Sequence, residues 1–209
     1  MIIEQQERIE ATLNRLLVDA KKDHLKIMKG LAKSIVRPMQ PRDFKEAYLS
    51  ISKEQGEDLA QLIKENNLKN IVEFGTSFGI STLFLAKGAI ETGGRIITTE
   101  LIESKAEKAI ENFKRAGVAD LVEVRIGDAM ETLRKHKEPI DLLLLDGWKD
   151  LYLPLFQMLE PNFHSKTFIY VDNANMVDTK VFLKTISQNR KYRLLTIFGG
   201  KAELITIKK

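Results

Sequence analysis

The amino-acid sequence of 209 residues contains no cysteine. This absence excludes disulfide bonds, thiolate metal sites and cysteine nucleophiles, and it is typical of proteins in the reducing cytoplasm. Long apolar runs are absent as well, since no stretch approaches the roughly 18 apolar residues that a transmembrane helix requires. The N-terminus becomes polar at Glu4 and lacks the apolar core of a signal peptide. We therefore expect a cytoplasmic protein that does not enter a membrane.

Basic residues are not gathered into long clusters. The chain carries 33 basic and 29 acidic residues, for a net charge of +4, and its basic clusters are as short as Lys21-Lys22 and Lys208-Lys209. A nucleic-acid surface would require grouped basic residues with aromatic side chains between them. The pattern indicates a solvated surface and disfavours nucleic acid as a partner. A hydrophobic content of 44% suits one domain, or one domain with an extension.

From residue 70 onward, strand-like and helix-like segments alternate. This alternation predicts an α/β fold, with a doubly wound, mostly parallel seven-stranded sheet and helices on both faces. The last two strands flank Gly199-Gly200-Lys201, which predicts a closing antiparallel hairpin. The predicted strands are 70–74, 95–99, 121–126, 140–145, 167–171, 192–198 and 202–207, and the predicted helices are 80–89, 103–116, 128–136, 151–159 and 177–188.

The N-terminal part has a different pattern. Apolar residues at near-helical spacing predict one or two amphipathic helices over 5–35, and prolines break the pattern within 37–42. A further helix is predicted from Ser52 to Glu65, because Ser52 and Gln55 have the spacing of a capping box. We expect an N-terminal helical extension over 1–47, which contributes to an acceptor pocket or a dimer contact, and a main domain over 48–209.

A glycine-bearing turn follows the first predicted strand. Glycine lets the backbone bend sharply and lets a ligand approach closely, and the acid Glu73 stands just before Gly75. The spacing from Gly75 to Gly79 is Gly-x-x-x-Gly, which differs from the Gly-x-Gly-x-x-Gly of phosphate-bearing dinucleotide sites. The turn therefore favours a cationic ligand that carries a nucleoside without phosphates. S-adenosylmethionine fits that description.

Two further acids lie at the ends of the next strands. Glu100 ends the second strand, where a carboxylate can accept both ribose hydroxyls of a bound nucleoside, although a plain surface carboxylate would also suit that position. Asp128 follows the third strand in Gly127-Asp128-Ala129. It is a candidate for the adenine pocket, a helix N-cap, or both.

The ends of the fourth and fifth strands carry three oxygen donors, Asp146, Asp172 and Asn173. In a doubly wound sheet these strand ends converge near the point where the strand order reverses. Two neighbouring carboxylates repel each other unless they share a proton or bind a cation, and this donor set suits Mg²⁺ or a similar divalent ion. The alternative is that both aspartates cap helices and bind no metal.

Lys149 and Trp148 follow Asp146 closely. Burial and nearby positive charge favour the neutral form of a lysine, which can then accept a proton from a substrate hydroxyl. Lys149 is therefore a candidate base, with a solvated surface lysine as the alternative. Trp148, the only tryptophan, can stack on adenine or cover a sulfonium, or it can be a core residue.

Together these segments resemble class I S-adenosylmethionine-dependent methyltransferases, and over residues 48–207 they are similar to the cation-dependent O-methyltransferase family that includes catechol O-methyltransferase. That family has Asp-x-x-Lys followed three residues later by tyrosine, as in Asp146, Lys149 and Tyr152. The resemblance implies a small acceptor with adjacent oxygens, catalysis by Lys149 and Asp146, a metal held by Asp146, Asp172 and Asn173, and a homodimer. It implies cofactor contacts by Ile51, Glu73, Gly75, Thr76, Ser77, Ser81, Glu100, Leu101, Asp128, Ala129, Asp146 and Trp148.

Two departures argue against a plain catechol as the acceptor. Gly147 stands where the mammalian catechol enzyme has a histidine, and it is expected to open that wall of the pocket. The region 197–200 lacks the carboxylate that the mammalian enzyme carries near its final hairpin.

Two alternative functions remain open: the same fold acting on an amine, peptide or RNA without metal, and a non-catalytic binding module. The histidines His24, His136 and His164 are interpreted as surface or loop residues, and Phe78 and Phe84 as packing residues.

Overall fold

The computed structural model describes residues 2–21, 43 and 50–208. Among these residues, seven strands form one sheet in the order β3-β2-β1-β4-β5-β7-β6. All neighbours pair in parallel except β7, which is antiparallel to both β5 and β6. The predicted fold class is therefore confirmed, including the closing hairpin. The strands are β1 (Asn70–Phe74), β2 (Arg95–Glu100), β3 (Val122–Ile126), β4 (Ile140–Leu145), β5 (Phe163–Asp172), β6 (Tyr192–Ile197) and β7 (Ala202–Ile207).

Helices cover both faces of the sheet. The central strand β4 shows why, because Leu142 and Leu144 pack into one hydrophobic core while Leu143 and Leu145 pack into another. Helices α1 to α4 supply the first core, and α5 to α7 supply the second. The helices are α1 (Ile2–Lys21), α2 (Lys53–Glu65), α3 (Ile80–Thr92), α4 (Glu103–Ala116), α5 (Ala129–Thr132), α6 (Tyr152–Leu159) and α7 (Val177–Ser187).

Two predicted boundaries were wrong by four residues, and the others within the described residues by three or fewer. The helix expected over 128–136 is the single turn α5, because Leu133 is the last buried apolar residue before the largely exposed polar run 134–138. Strand β5 begins at Phe163, four residues earlier than expected. Its early part is held to β4 by Thr167, whose hydroxyl donates to the carbonyl of Ile140 at 2.6 Å.

The N-terminal helix α1 packs on the main domain. Its residues Ile9, Leu13 and Leu16 are buried in the same core as α3 and α4, and the guanidinium of Arg8 donates to the carbonyl oxygen of Arg115 at the end of α4. The part of the predicted helical region beyond Lys21, the proline-containing loop 37–42 and His24 lie outside the described residues. Of the helices that the structure describes, none is long and apolar enough to cross a membrane.

Helices α2 and α3 approach each other closely through two glycines. A Cβ atom on Gly56 would lie 2.2 Å from the Phe84 ring, and one on Gly88 would lie 2.8 Å from the Cβ of Ile63. Phe84 is fully buried, which confirms its interpretation as a packing residue. The predicted capping box at the start of α2 is also confirmed, with Ser52 and Gln55 bonding reciprocally. The N-terminus of α2 in this helix pair reaches the end of β5, where the side-chain amide of Gln55 donates to Asp172.

Candidate active site

The carboxyl ends of β1, β2, β4 and β5 meet at one edge of the sheet, where the strand order reverses between β1 and β4. In open α/β sheets this crevice is where ligands bind. The turn at Gly75 lies at its centre. The backbone N–H groups of Gly75 and Thr76 donate to the carbonyl oxygen of Thr99 at 3.2 and 3.0 Å, which ties the turn to β2.

Gly75 is at a position that no other residue fits well. Its φ is +108°, and a Cβ atom there would lie 2.7 Å from both the carbonyl carbon and the carbonyl oxygen of Asp146. The N–H of Asp146 also donates to the carbonyl oxygen of Phe74 at 2.9 Å. The turn after β1 and the end of β4 are therefore in direct backbone contact, so a ligand at Gly75 lies next to Asp146.

Glu73 lies beneath this turn and is fully buried. Its Oε2 atom accepts hydrogen bonds from the hydroxyls of Thr82, at 2.5 Å, and Thr98, at 2.6 Å. Its Oε1 atom has no hydrogen-bond partner among the described residues. Burial raises the pKa of Glu73, and the nearby hydroxyls of Ser81, Thr82 and Thr98 oppose that rise. Thr82 and Thr98 were missed in the sequence, where no motif marks them.

Glu100 binds the turn through its carboxylate. Its Oε2 atom accepts the N–H of Ser77 at 2.7 Å, and its Oε1 atom accepts the N–H of Ile102 at 2.9 Å. Ser77 has a φ of +48°, so the contact holds a backbone conformation that few residues adopt. Leu101, next to Glu100, is exposed. Each oxygen of Glu100 keeps a further lone pair that can face a ligand.

Asp128 is the N-cap of α5, because its Oδ1 atom accepts the N–H of Met130 at 2.8 Å. This confirms the capping interpretation, which is compatible with a further role beside adenine. Ala129 is buried, and Trp148 is a partly buried member of the same hydrophobic cluster. Ile51 is buried just before α2.

Asp146 and Asp172 contact each other, as their positions on adjacent strands predicted. Their carboxyl groups lie close enough to interact electrostatically, and both side chains are nearly buried. Burial raises the pKa of Asp146 well above its ordinary value, and the neighbouring Asp172 raises it further, while Lys149 opposes the rise. Asn173 follows with a φ of +55°. Within the described ranges no group of three acidic, histidine or cysteine residues could hold a metal, so the set depends on two carboxylates and an amide.

Lys149 lies beside this pair with its side chain only 14% exposed. Its Nζ atom donates to the carbonyl oxygen of Gly147 at 2.8 Å and lies 4.0 Å from Oδ1 of Asp146. The same Nζ atom lies 5.4 Å from the centre of the Tyr152 ring. Tyr152 is fully buried, and burial raises the pKa of its phenol well above the ordinary value. Lys149 is therefore held within the site, which argues against the surface interpretation.

Gly147 does not open the pocket wall, contrary to expectation. A Cβ atom at Gly147 would lie 2.5 Å from the ring of Phe74. That ring is nearly buried and packs edge-on against Tyr152, with 6.2 Å between the ring centres. The space beside Gly147 is filled by an aromatic ring from β1, a contact that no local pattern in the sequence indicates.

A further residue of the site was assigned only a capping role in the sequence. The side-chain amide of Gln55 donates to Oδ1 of Asp172 at 2.7 Å, and both side chains are buried.

The histidines lie elsewhere, as expected for those that the structure describes. His164 bonds to Asp141 at 2.9 Å, and His136 lines a small cleft with Arg95 and Arg125.

A family model described as O-methyltransferase matches residues 19–198 of the chain. The chain belongs to the O-methyltransferase family. This confirms the predicted resemblance to S-adenosylmethionine-dependent O-methyltransferases.

Individual members of the O-methyltransferase family resemble the chain over large parts of its length. A protein of Mycobacterium tuberculosis named catechol O-methyltransferase is 36% identical over 127 residues, which cover 60% of this chain and 57% of that protein. A protein of the same name in Niastella koreensis is 35% identical over 130 residues, covering 60% of this chain and 58% of that protein. The chain thus matches less than two thirds of the length of these relatives.

A solved structure of the O-methyltransferase family shares the fold. The O-methyltransferase from Bacillus cereus, solved in complex with SAH, has a TM-score of 0.67 and 27% sequence identity. The match covers 76% of this chain and 83% of that one. The crevice at the carboxyl ends of the strands is therefore built on the fold of a family that contains cofactor-bound members.

Proposed function

We propose that this protein is an S-adenosylmethionine-dependent O-methyltransferase acting on a small acceptor with two adjacent oxygens, such as a vicinal diol or a catechol-like compound, with the help of a divalent metal ion. The observation that carries this proposal is the buried pair Asp146–Asp172, which lies beside Lys149 and touches the Gly75 turn. Family membership and the names of the relatives support the reaction class.

The residues around the Gly75 turn fit a cationic nucleoside cofactor. Glu73 has a buried carboxylate oxygen without a partner among the described residues, which suits a positively charged group above the turn. Glu100 has lone pairs for ribose hydroxyls, and Trp148 and Ala129 would border the adenine. S-adenosylmethionine supplies a methyl group on a sulfonium, which leaves as a neutral thioether once the methyl group has moved.

The residues at the ends of β4 and β5 fit a divalent cation. Two buried carboxylates in contact are unfavourable unless a proton or a cation neutralises them, and oxygen donors suit Mg²⁺. Asp146, Asp172 and Asn173 would hold the ion. A bound divalent cation would lower the pKa of the acceptor hydroxyl and orient its two oxygens.

Lys149 would receive the proton of the acceptor hydroxyl. The carbonyl oxygen of Gly147 and the ring of Tyr152 hold its Nζ atom within the crevice, and partial burial keeps water away from it. As a neutral amine, Lys149 would accept the proton of the acceptor hydroxyl, and the acceptor oxygen would take the methyl group as its bond to the sulfonium sulfur breaks. Positioning by these fixed side chains, in a site with little water, would supply most of the acceleration.

The test is calorimetric titration of the chelator-treated protein with S-adenosylmethionine, followed by a methyl-transfer assay on vicinal diols with and without Mg²⁺. We expect cofactor binding and metal-dependent turnover. Asp172→Asn should abolish the Mg²⁺ stimulation, and Glu100→Ala should weaken cofactor binding more than acceptor binding. Cofactor binding with full turnover in chelator would contradict the metal site and favour an amine, peptide or RNA acceptor. Absence of cofactor binding would contradict the whole assignment.

Three broader expectations belong to the same proposal: a cytoplasmic location, a homodimer, and an acceptor-pocket or dimer role for the extension over 1–47. Helix α1 shares a hydrophobic core with α3 and α4. Size-exclusion chromatography with light scattering tests the dimer. A molar mass in solution equal to that of one chain, 23.8 kDa, would contradict it.

A further inference from the structure

Gln55 makes two hydrogen bonds through opposite ends of its side-chain amide. The Oε1 atom accepts the backbone N–H of Ser52 at 3.1 Å, and the Nε2 atom donates to Oδ1 of Asp172 at 2.7 Å. An amide oxygen cannot donate and an ionised carboxylate cannot donate, so these partners leave one orientation of the amide. The capping box therefore directs the donor of Gln55 onto Asp172.

The backbone that carries Gln55 is fixed by the packing of α2 on α3. Gly56, the next residue, lies so close to Phe84 that no larger residue fits without displacement, and a Cβ atom on Gly88 of α3 would lie 2.8 Å from the Cβ of Ile63 in α2. Gln55 itself is only 4% exposed. A buried side chain on a closely packed helix, held at both ends by hydrogen bonds, has few alternative conformations.

Asp172 lies in an equally constrained strand. It pairs with Ala202 of β7 at the end of β5, and the N–H of Ala174 donates to the carbonyl oxygen of Lys201 at 2.8 Å. These backbone contacts fix the position of the Asp172 Cα atom. They do not fix the side-chain torsion angles that orient its carboxyl group. The amide of Gln55 holds one oxygen of this carboxylate, and the neighbouring group at the end of β4 is Asp146.

We propose that Gln55 is a positioning residue for the metal ligand Asp172: its amide fixes the orientation of the carboxylate that would bind the cation. This inference rests on the proposed function. Partners of metal ligands commonly act in this way, and their loss typically weakens metal binding or activity by about 10–100-fold. Gln55 lies four residues after Ile51, a predicted cofactor contact, so about one helical turn joins that residue to the hydrogen-bond partner of Asp172.

The test measures metal affinity without turnover. Chelator-treated protein is titrated with Mn²⁺, and the free aqueous ion is followed by electron paramagnetic resonance. Gln55→Met keeps the length of the side chain but removes the donor, and we expect it to weaken Mn²⁺ binding by about 10–100-fold. Gln61→Met is the matched control, because Gln61 lies on the exposed side of the same helix and bonds to Glu65. It should bind Mn²⁺ as the wild type does.

A second variant separates positioning from capping. Ser52→Ala removes the hydroxyl that accepts the N–H of Gln55 at 3.2 Å but leaves the amide donor in place. It should lower thermal stability with little effect on Mn²⁺ affinity. In kinetics, Gln55→Met should raise the KM for Mg²⁺ while the KM for the cofactor stays near the wild-type value.

Three results would overturn the proposal. If Gln55→Met binds Mn²⁺ with wild-type affinity, Gln55 only caps the helix. If Ser52→Ala weakens Mn²⁺ binding as much as Gln55→Met does, the cap and not the amide donor matters. If the wild type binds no Mn²⁺, the proposed metal site itself fails, which is a separate outcome. Should Gln55→Met not fold, Gln55→Leu also removes the amide donor with a side chain of similar size, and its Mn²⁺ affinity should fall as well.

Discussion

Gly75 and Asp146 are in backbone contact across the centre of the crevice, since a Cβ atom at Gly75 would lie 2.7 Å from the carbonyl carbon of Asp146. One residue belongs to the predicted cofactor turn and the other to the predicted metal site. Because the two backbones touch, a displacement of either turn is transmitted to the other. In the proposed function, this contact would bring the methyl donor and the acceptor together.

Gly75→Ala should therefore be strongly destabilising and should prevent cofactor binding. The left-handed backbone costs about 1–2 kcal/mol for a residue with a Cβ, and the steric overlap adds about 1–3 kcal/mol. Gly93→Ala is the control, because Gly93 has a φ of +68° but no described atom within 4 Å of its Cβ position. Urea unfolding and calorimetry check both variants. Equal losses of stability would show that the contact with Asp146 contributes nothing.

Gly147 and Phe74 should depend on each other. Gly147→Ala places a methyl group against the Phe74 ring, and overpacking of this kind typically costs about 1–3 kcal/mol. Phe74→Leu alone should also destabilise the protein, because it removes edge-on packing against Tyr152. The double variant should be more stable than the sum of the single effects predicts. A double-mutant cycle from urea unfolding measures this coupling, and strict additivity would contradict the contact.

Lys149→Met should lower the rate of methyl transfer and leave cofactor affinity nearly intact. Loss of a positioned base typically costs about 10²–10⁴-fold. Lys180→Met, at an exposed lysine of α7, is the matched control. Single-turnover measurements with saturating cofactor and acceptor separate the chemical step from product release. A wild-type single-turnover rate in Lys149→Met would exclude Lys149 as the base.

Asp141, which lies away from the candidate active site, should make the free energy of unfolding depend on pH. Burial opposes its ionisation, but the N–H groups of Asn70 and Lys69 and the side chain of His164 together hold the pKa of Asp141 below its ordinary value. Its stabilising effect is therefore complete above the pKa of the unfolded chain, about 4, and is lost as the pH falls through the lower folded value.

Asp141→Asn should therefore lower the free energy of unfolding at pH 7 by about 1–3 kcal/mol, because two backbone donors lose a charged acceptor. Solvent screens the ionic part of this effect at a partly exposed site. The difference from the wild type should shrink as the pH falls below about 4. Urea unfolding at pH 7 and at lower pH values checks this, with Glu103→Gln at the exposed start of α4 as control. A constant difference would contradict the assignment.

The fold was predictable because its signals are local and periodic. The run Leu142–Leu145 is apolar at every position, as a strand buried on both faces must be, and the cap at Ser52 needs only a neighbour three residues away. The ends of helices and strands were predicted less well. The bond of Thr167 accompanies an earlier start of β5, and the end of apolar contacts after Leu133 shortens α5.

The candidate site was predictable in position and composition but not in its internal contacts. Strand ends of a parallel sheet meet at one edge, so Glu73, Glu100, Asp146 and Asp172 could be brought together from sequence order alone. The sequence by itself thus determined the class of fold, the family and the edge of the sheet that carries the acids.

Only the tertiary structure decided which atoms meet there. It places Thr82 and Thr98 on Glu73, the Phe74 ring beside Gly147, and the amide of Gln55 on Asp172. Hydrogen bonds and steric contacts act over about 3–4 Å. The two residues of each of these hydrogen bonds are nevertheless 9 to 117 positions apart along the chain. Periodicity is a property of neighbours in sequence, whereas such contacts depend on how whole helices and strands pack.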